Sequence, residues 1–109
     1  MATWFAADKR SWLQKKFGQI LKAGHMPKHI AIIMDGNRRY AKNKHMQKIE
    51  GHLSGFEKLT ESLSWCFAFD ITEVTVYAFS IENFKRSKEE VDGLFNLARL
   101  EFQILVNEM

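Results

Sequence analysis

A chain of 109 residues, 46% hydrophobic and 27% charged, holds at most one folded domain and falls outside the disordered and collagen-like classes. Its net charge of +3 and pI near 9.1 favour anionic partners only weakly, and acids interleave with bases, so no continuous nucleic-acid footprint is present. The single cysteine, Cys66, excludes a disulfide framework or a cysteine zinc site built from this chain alone, and its setting among Trp65, Phe67 and Phe69 reads as a buried core thiol. No apolar run approaches the roughly 18 to 20 residues that span a bilayer, and the N-terminus lacks a secretory apolar segment, so a cytosolic setting is expected.

The first element is a short basic amphipathic helix over residues 9–22. Leu13, Phe17, Ile20 and Leu21 recur at helical spacing among Lys9, Arg10, Lys15, Lys16 and Lys22. Two readings stand: a segment lying on a membrane surface or over an apolar substrate, or a helix packed on its own domain with a solvated lysine face. Gly24 and Pro27 punctuate the chain before a run of apolar residues, Ile30 to Met34, the pattern of a strand buried on both faces in a parallel sheet.

Helical pattern follows, and beyond Gly51 the residues Leu53, Phe56, Leu59, Leu63 and Phe67 recur at threes and fours. After a break at Asp70, Val74 to Phe79 reads as a second strand, which makes one βαβ unit with a right-handed crossover. A last helix opens at Ser87 with a capping box to Glu90, and its apolar face is Val91, Leu94, Phe95, Ala98, Phe102, Leu105 and Val106. That helix runs to Met109 without a stop signal, and two parallel strands cannot cover both of their edges. The fold class is therefore α/β: the N-terminal part of an open, mainly parallel sheet with flanking helices, preceded by the amphipathic helix. The stripe of Trp65, Phe67, Phe69, Phe95 and Phe102 is most simply core.

In open α/β sheets, ligands bind beyond the carboxyl ends of the strands. Asp35 to Arg39 follows the first strand there, and "SIENFKR", Ser80 to Arg86, follows the second. Asp35, Asn37, Arg38, Arg39, Ser80, Asn83, Lys85 and Arg86 should converge. That set suits phosphate: arginine grips its oxygens bidentately, a carboxylate serves a hydrated Mg²⁺, and Gly36 lets the backbone approach. Asp-Gly-Asn is also good turn chemistry and a good N-cap, and on these three residues alone the turn reading outweighs the binding one. His52, at a helix start, is more often structural than a ligand, and His25, His29 and His45 say less.

Three blocks, "HIAIIMDGNRRYAK", "EGHLSGFEKL" and "EVTVYAFSIENFKRSKEEV", resemble in order and spacing the cis-prenyltransferase (undecaprenyl diphosphate synthase) family, and within it the eukaryotic branch that makes dehydrodolichyl diphosphate. The resemblance runs from about Leu21 to the end. It divides the chain into an N-terminal amphipathic helix and linker, residues 1–26, and the N-terminal part of a cis-prenyltransferase domain, residues 27–109.

The resemblance implies condensation of isopentenyl diphosphate onto an allylic diphosphate such as farnesyl diphosphate, in cis and repeatedly, with Mg²⁺. The position of Asp35 is the family's catalytic and metal-holding aspartate. Gly36 and the helix start after it cradle the allylic diphosphate, and Asn37 positions the reacting centre. Arg38, Arg39 and His52 hold or border the allylic diphosphate, and Ser80, Asn83, Phe84 and Arg86 lie near the reacting ends of both substrates. Some of Leu53, Phe56, Leu94 and Phe95 are candidates for a product tunnel. Lys48 stands where many members carry arginine, which keeps the charge and loses the fork.

By the same resemblance, a homologous partner subunit of the Nogo-B receptor type, peripheral association with the cytosolic face of the endoplasmic reticulum and a role in dolichol supply for glycosylation are expected. The family's downstream half, with its isopentenyl diphosphate-binding arginines and serine, lies outside this sequence, so the chain is expected to be a fragment that does not turn over alone. A phosphatase of the haloacid dehalogenase type needs an aspartate where Ile33 stands. A non-catalytic partner subunit would lack Asp35, Arg38, Arg39 and Arg86, while a truncated binding or regulatory form remains open.

Overall fold

A computed structural model describes Trp4 and residues 8–108. The order is α1 (Trp12–Lys22), β1 (His29–Ile33), α2 (Asn37–Asn43), α3 (Lys48–Ala68), β2 (Glu73–Tyr77), a 3-10 turn (Ile81–Lys85) and α4 (Lys88–Glu108). β1 and β2 pair in parallel, His29 opposite Glu73 through Ile33 opposite Tyr77, so the architecture is α/β with an open parallel sheet.

α1 begins later than its charge pattern suggests, because the cap fixes the start. Ser11 Oγ accepts the Gln14 N–H at 3.2 Å and Gln14 Oε1 accepts the Ser11 N–H at 2.8 Å. Lys9 and Arg10 precede that cap, and Arg10 instead grips Asp8 at 2.9 Å, which holds the Asp8 carboxyl well below the usual carboxylate range. α1 meets its own domain over a narrow contact, where Lys22 Nζ pairs with Asp70 Oδ2 at 2.7 Å, and leaves its apolar face open. Trp12, Leu13, Phe17, Ile20 and Leu21 are each more than half exposed, and the residue the helix buries is Gly18, beside the Phe69 ring.

The expectation of a strand buried on both faces is also corrected. Burial alternates along β1, with Ile30 and Ile32 half-covered and His29, Ala31 and Ile33 exposed. The reason is a single covering layer: Ile32 and Met34 meet a core of Phe56 and Leu59 from α3, Leu97 from α4 and Trp4, with Leu53, Leu63, Ile104 and Leu105 at its rim. Among the described residues nothing comparable covers the other face.

The helical stretch after β1 divides where no Gly or Pro marks it. His45 adopts a left-handed φ of 54°, the Met46 N–H closes onto the Ala41 carbonyl at 3.0 Å, and Glu50 Oε2 accepts the Gln47 N–H at 2.7 Å to restart the chain as α3. α3 ends in a similar closure, Ile71 N–H to Cys66 O at 3.0 Å, with Asp70 at φ 57°.

α4 turns only part of its predicted apolar face inward, with Val91 buried and Leu94, Ala98 and Leu105 half-buried. Val91, Leu97 and Glu101 are buried, while Phe95, Phe102 and Val106 are exposed. Its apolar arc is wider than one seam, and α3 covers only part of it. Trp65 and Phe67 are exposed as well, so the aromatic stripe is not core. Cys66 is buried as expected, and burial pushes its thiol pKa up.

Candidate diphosphate site at the carboxyl ends of the strands

The chain leaves β1 through Met34, whose N–H adds one more bond to the ladder, 3.0 Å to Tyr77 O. Asp35 N–H then folds back on Ile33 O at 3.0 Å, and Gly36 follows at φ 87°, a left-handed conformation that a side chain there would strain. This sharp exit places the first turn of α2 directly above the strand end. The Asp35 carboxylate accepts the Gly36 N–H at 2.6 Å through Oδ1 and meets Arg39 Nη2 at 3.4 Å through Oδ2. Both side chains are about four-fifths exposed, so this pair is a loose surface contact open to a ligand.

A cleft of about 290 Å³ opens here. Its polar wall is Asp35, Gly36, Asn37, Arg38, Arg39, His52 and Arg86, and its apolar floor is Met34, Phe56, Ala78 and Leu94. Seven of the sequence-derived site residues thus come together, four of them able to carry positive charge.

The second strand-end block contributes less than expected. Asn83 Oδ1 accepts the Ser80 N–H at 2.9 Å, and the Asn83 N–H donates to Ser80 O at 3.0 Å, so both residues are engaged in closing the 3-10 turn. They lie outside the cleft's lining, as does Lys85 at the end of that turn. Phe84 joins an aromatic group beside them, 5.0 Å from Phe79 edge-on and 6.1 Å from Phe95. Arg86 alone of this block reaches the cleft. Lys48 borders a neighbouring cleft of about 370 Å³ with Ile49, Ser87, Glu89 and Gly93, and His52 lines both.

Sequence reasoning missed two features that support the site. One is the pair Gly51 and Gly55, one turn apart on α3. A Cβ at Gly51 would lie 2.5 Å from the Asn37 carbonyl oxygen and 2.7 Å from Ala41 Cβ, so α2 docks on bare backbone. The i, i+4 spacing of glycines in "EGHLSGF" was the available signal. The other is Glu90. Its carboxylate, 6% exposed, lies 3.3 Å from His52 Nε2, 3.4 Å from Lys48 Nζ, 3.5 Å from Arg86 Nη1 and 3.9 Å from Arg38 Nε.

That arrangement explains why only half of the expected capping box forms. Ser87 Oγ accepts the Glu90 N–H at 3.3 Å, but the Glu90 side chain turns to the cations. Burial pushes its pKa up, and the contacts with His52, Lys48 and Arg86 outweigh this and hold the carboxyl below its usual value. For His52 burial dominates and lowers the pKa, Glu90 acts against it, and Arg86 and Arg38 act with it.

Among the described residues no three His, Cys, Asp or Glu side chains are grouped to hold a metal. Asp35 is the carboxylate at the mouth of the cleft. One accessible carboxylate fits Mg²⁺ bound chiefly through water and substrate phosphates, and does not build a cage for a resident ion.

The sequence also matches known proteins. The family model described as "Putative undecaprenyl diphosphate synthase" matches residues 33–109. The chain is 58% identical over 106 residues to the human dehydrodolichyl diphosphate synthase complex subunit DHDDS, covering 97% of this chain and 32% of that protein. It is 54% identical over 88 residues to a Thermococcus kodakarensis tritrans,polycis-undecaprenyl-diphosphate synthase described as geranylgeranyl-diphosphate specific, covering 81% and 33%. A Schizosaccharomyces pombe dehydrodolichyl diphosphate synthase complex subunit is 53% identical over 79 residues, covering 72% and 30%. The chain thus spans about a third of the length of the curated relatives it matches. On the family match and an α/β fold consistent with it, the chain belongs to the undecaprenyl diphosphate synthase family of cis-prenyltransferases.

Proposed function

We propose that this chain supplies the allylic diphosphate half of a cis-prenyltransferase site that extends farnesyl diphosphate with isopentenyl diphosphate toward dehydrodolichyl diphosphate. The observation that carries the reading is the meeting of Asp35, Arg38, Arg39, His52 and Arg86 around one cleft at the carboxyl ends of two parallel strands. Breaking an allylic C–O bond leaves charge on the departing diphosphate. Guanidinium groups already gathered where that charge grows favour the transition state over the ground state. The left-handed Gly36 brings backbone close to the phosphates, and Phe56 and Leu94 offer the isoprenoid tail an apolar floor. Mg²⁺, held by Asp35 and phosphate oxygens, would neutralise the leaving group. In this reading Ser80, Asn83 and Phe84 act from the turn beside the cleft, and Lys48 from its neighbour.

The further parts of the proposal rest on the family. They are a partner subunit of the Nogo-B receptor type, a peripheral position on the cytosolic face of the endoplasmic reticulum, and a role in dolichol supply for glycosylation. The word "complex" in the human and fission-yeast relatives' names supports a partner, and the uncovered apolar face of α1 supports a membrane position. Exposed Phe95, Phe102 and Val106 and the bare sheet face support the view that the 109 residues are an incomplete catalytic unit, inactive alone. In that form it would be a binding or regulatory chain.

The test is incorporation of labelled isopentenyl diphosphate onto farnesyl diphosphate with Mg²⁺ and a partner subunit. It compares the chain alone with a chimera completed by the remainder of the human relative. Polyprenyl product from the chimera alone is the expected result. Product from the short chain overturns the incomplete-unit reading. A folded chimera that binds neither substrate overturns the enzyme reading.

A further inference from the structure

We propose that Glu90 is a positioning residue of the diphosphate site: a nearly buried carboxylate on α4 that gathers Arg38, Lys48, His52 and Arg86 into one arrangement before substrate arrives. The inference deepens the reading above and rests on it. The four side chains come from two helices, α2 and α3, and a turn end, and what they share is this one carboxylate on α4.

The geometry argues for a role beyond folding. Three permanently charged groups drawn this close to one point repel each other and, without a counter-ion, spread into water. Glu90 is fixed by its own backbone. Its N–H is capped by Ser87, and the adjacent Val91 is buried, so the carboxylate is a rigid reference point. Its contacts differ in kind. Lys48 and His52 hydrogen-bond to it, at 3.4 and 3.3 Å, whereas Arg86 at 3.5 Å and Arg38 at 3.9 Å are ion pairs not aligned as hydrogen bonds. A diphosphate offers more oxygens than one carboxylate. It can take Arg38 and Arg86 without breaking a strong bond, while His52 and Lys48 stay anchored. Glu90 thus reduces the ordering that binding requires, the usual route by which preorganised sites gain affinity.

The first measurement is calorimetric titration of the chain with magnesium pyrophosphate, comparing it with Glu90→Gln, Glu90→Asp and, as a control, Glu89→Gln. Glu89 is an exposed neighbour whose loss removes the same charge. Thermal melts confirm that each protein is folded. Positioning needs reach as well as charge, so both Glu90 variants should weaken binding by about tenfold or more, with Glu89→Gln within about twofold.

In the chimera described above, Glu90→Gln should raise KM for farnesyl diphosphate while leaving that for isopentenyl diphosphate within about twofold, a split that a general loss of structure would not produce. Unchanged or tighter pyrophosphate binding by folded Glu90→Gln overturns the proposal, because the carboxylate would then act only as a repulsive charge. Normal binding by Glu90→Asp beside a weakened Glu90→Gln overturns it in favour of charge balance without positioning. Failure of the unsubstituted chain to bind pyrophosphate sinks the diphosphate reading itself, and this inference with it.

Discussion

The side-chain amide of Asn37 rests on the α3 backbone at Gly55: a Cβ built on that glycine would lie 2.5 Å from Asn37 Oδ1 and 2.6 Å from its Nδ2. A residue of the cleft is thus oriented by the absence of a side chain on a neighbouring helix. Gly55→Ala should force Asn37 and the start of α2 away from α3. It should destabilise the chain by about 1–3 kcal/mol, the usual range for overpacking, and lower pyrophosphate affinity. Urea unfolding and calorimetry would check both. A fully stable variant with normal affinity would show that α2 shifts without consequence.

Asp35 presents the opposite case, a site residue with little structural duty. Its side chain is 80% exposed and its one ion pair is loose. Asp35→Ala should therefore change stability by less than about 0.5 kcal/mol. In the completed chimera it should lower turnover by about a hundredfold or more, as expected when a group that stabilises developing charge is lost. Melting curves and labelled isopentenyl diphosphate incorporation measure the two effects separately. Near-normal turnover would remove Asp35 from the catalytic group.

Glu101 sits 1% exposed on the inner face of α4, its Oε2 without a hydrogen-bond partner among the described residues, while its backbone carbonyl accepts the Trp4 indole N–H at 2.5 Å. Burial raises its pKa, and Glu57 and Glu108 add to the rise. A carboxyl whose folded pKa is raised contributes stability below its ordinary value and loses it as pH climbs through the folded value. Glu101→Met should therefore stabilise the chain by about 1–2 kcal/mol at pH 7. The gain should shrink toward pH 4 as the native carboxyl protonates. Thermal melts across that range test the sign: a gain that grows on acidification would contradict the assignment.

The apolar face of α1 yields a prediction about surfaces. Leu13, Phe17 and Ile20 are each more than half exposed, so the triple change to serine should cost little stability beyond a helix-propensity effect of about 1 kcal/mol. If α1 lies on a membrane, the same variant should lose most of its cosedimentation with vesicles containing anionic lipid. Equal cosedimentation of parent and variant would refute the membrane position.

Particular residues explain how far the sequence could be read. The strands, the last two helices and the residues Asp35 to Arg39 were legible because each depends on local pattern: apolar runs, threes and fours, a glycine after an aspartate. Of the seven site residues that line the cleft, six were placed by that pattern and the strand-end rule, and His52 by the family resemblance alone. The α2–α3 break was not legible, since it depends on His45 accepting a left-handed φ that sequence rarely assigns to it. The roles of Ser80 and Asn83 in closing their own turn and of Glu90 as a shared counter-ion depend on where side chains point, which periodicity does not encode. The inward stripe of α4 was legible only in part, because an amphipathic arc says how much can be buried, not how much its neighbours cover.

The parallel pairing of residues 44 positions apart, His29 with Glu73, has a kinetic consequence. Neither strand can find its partner until the whole α2–α3 crossover has closed behind it, so loop-closure entropy falls before the first sheet bond forms. During that delay Ile30, Ile32, Val74 and Val76 remain unpaired, with strand edges able to engage the same segments of another chain. Refolding yield should therefore fall as protein concentration rises, and dilution, rather than added salt or ligand, should be the effective remedy.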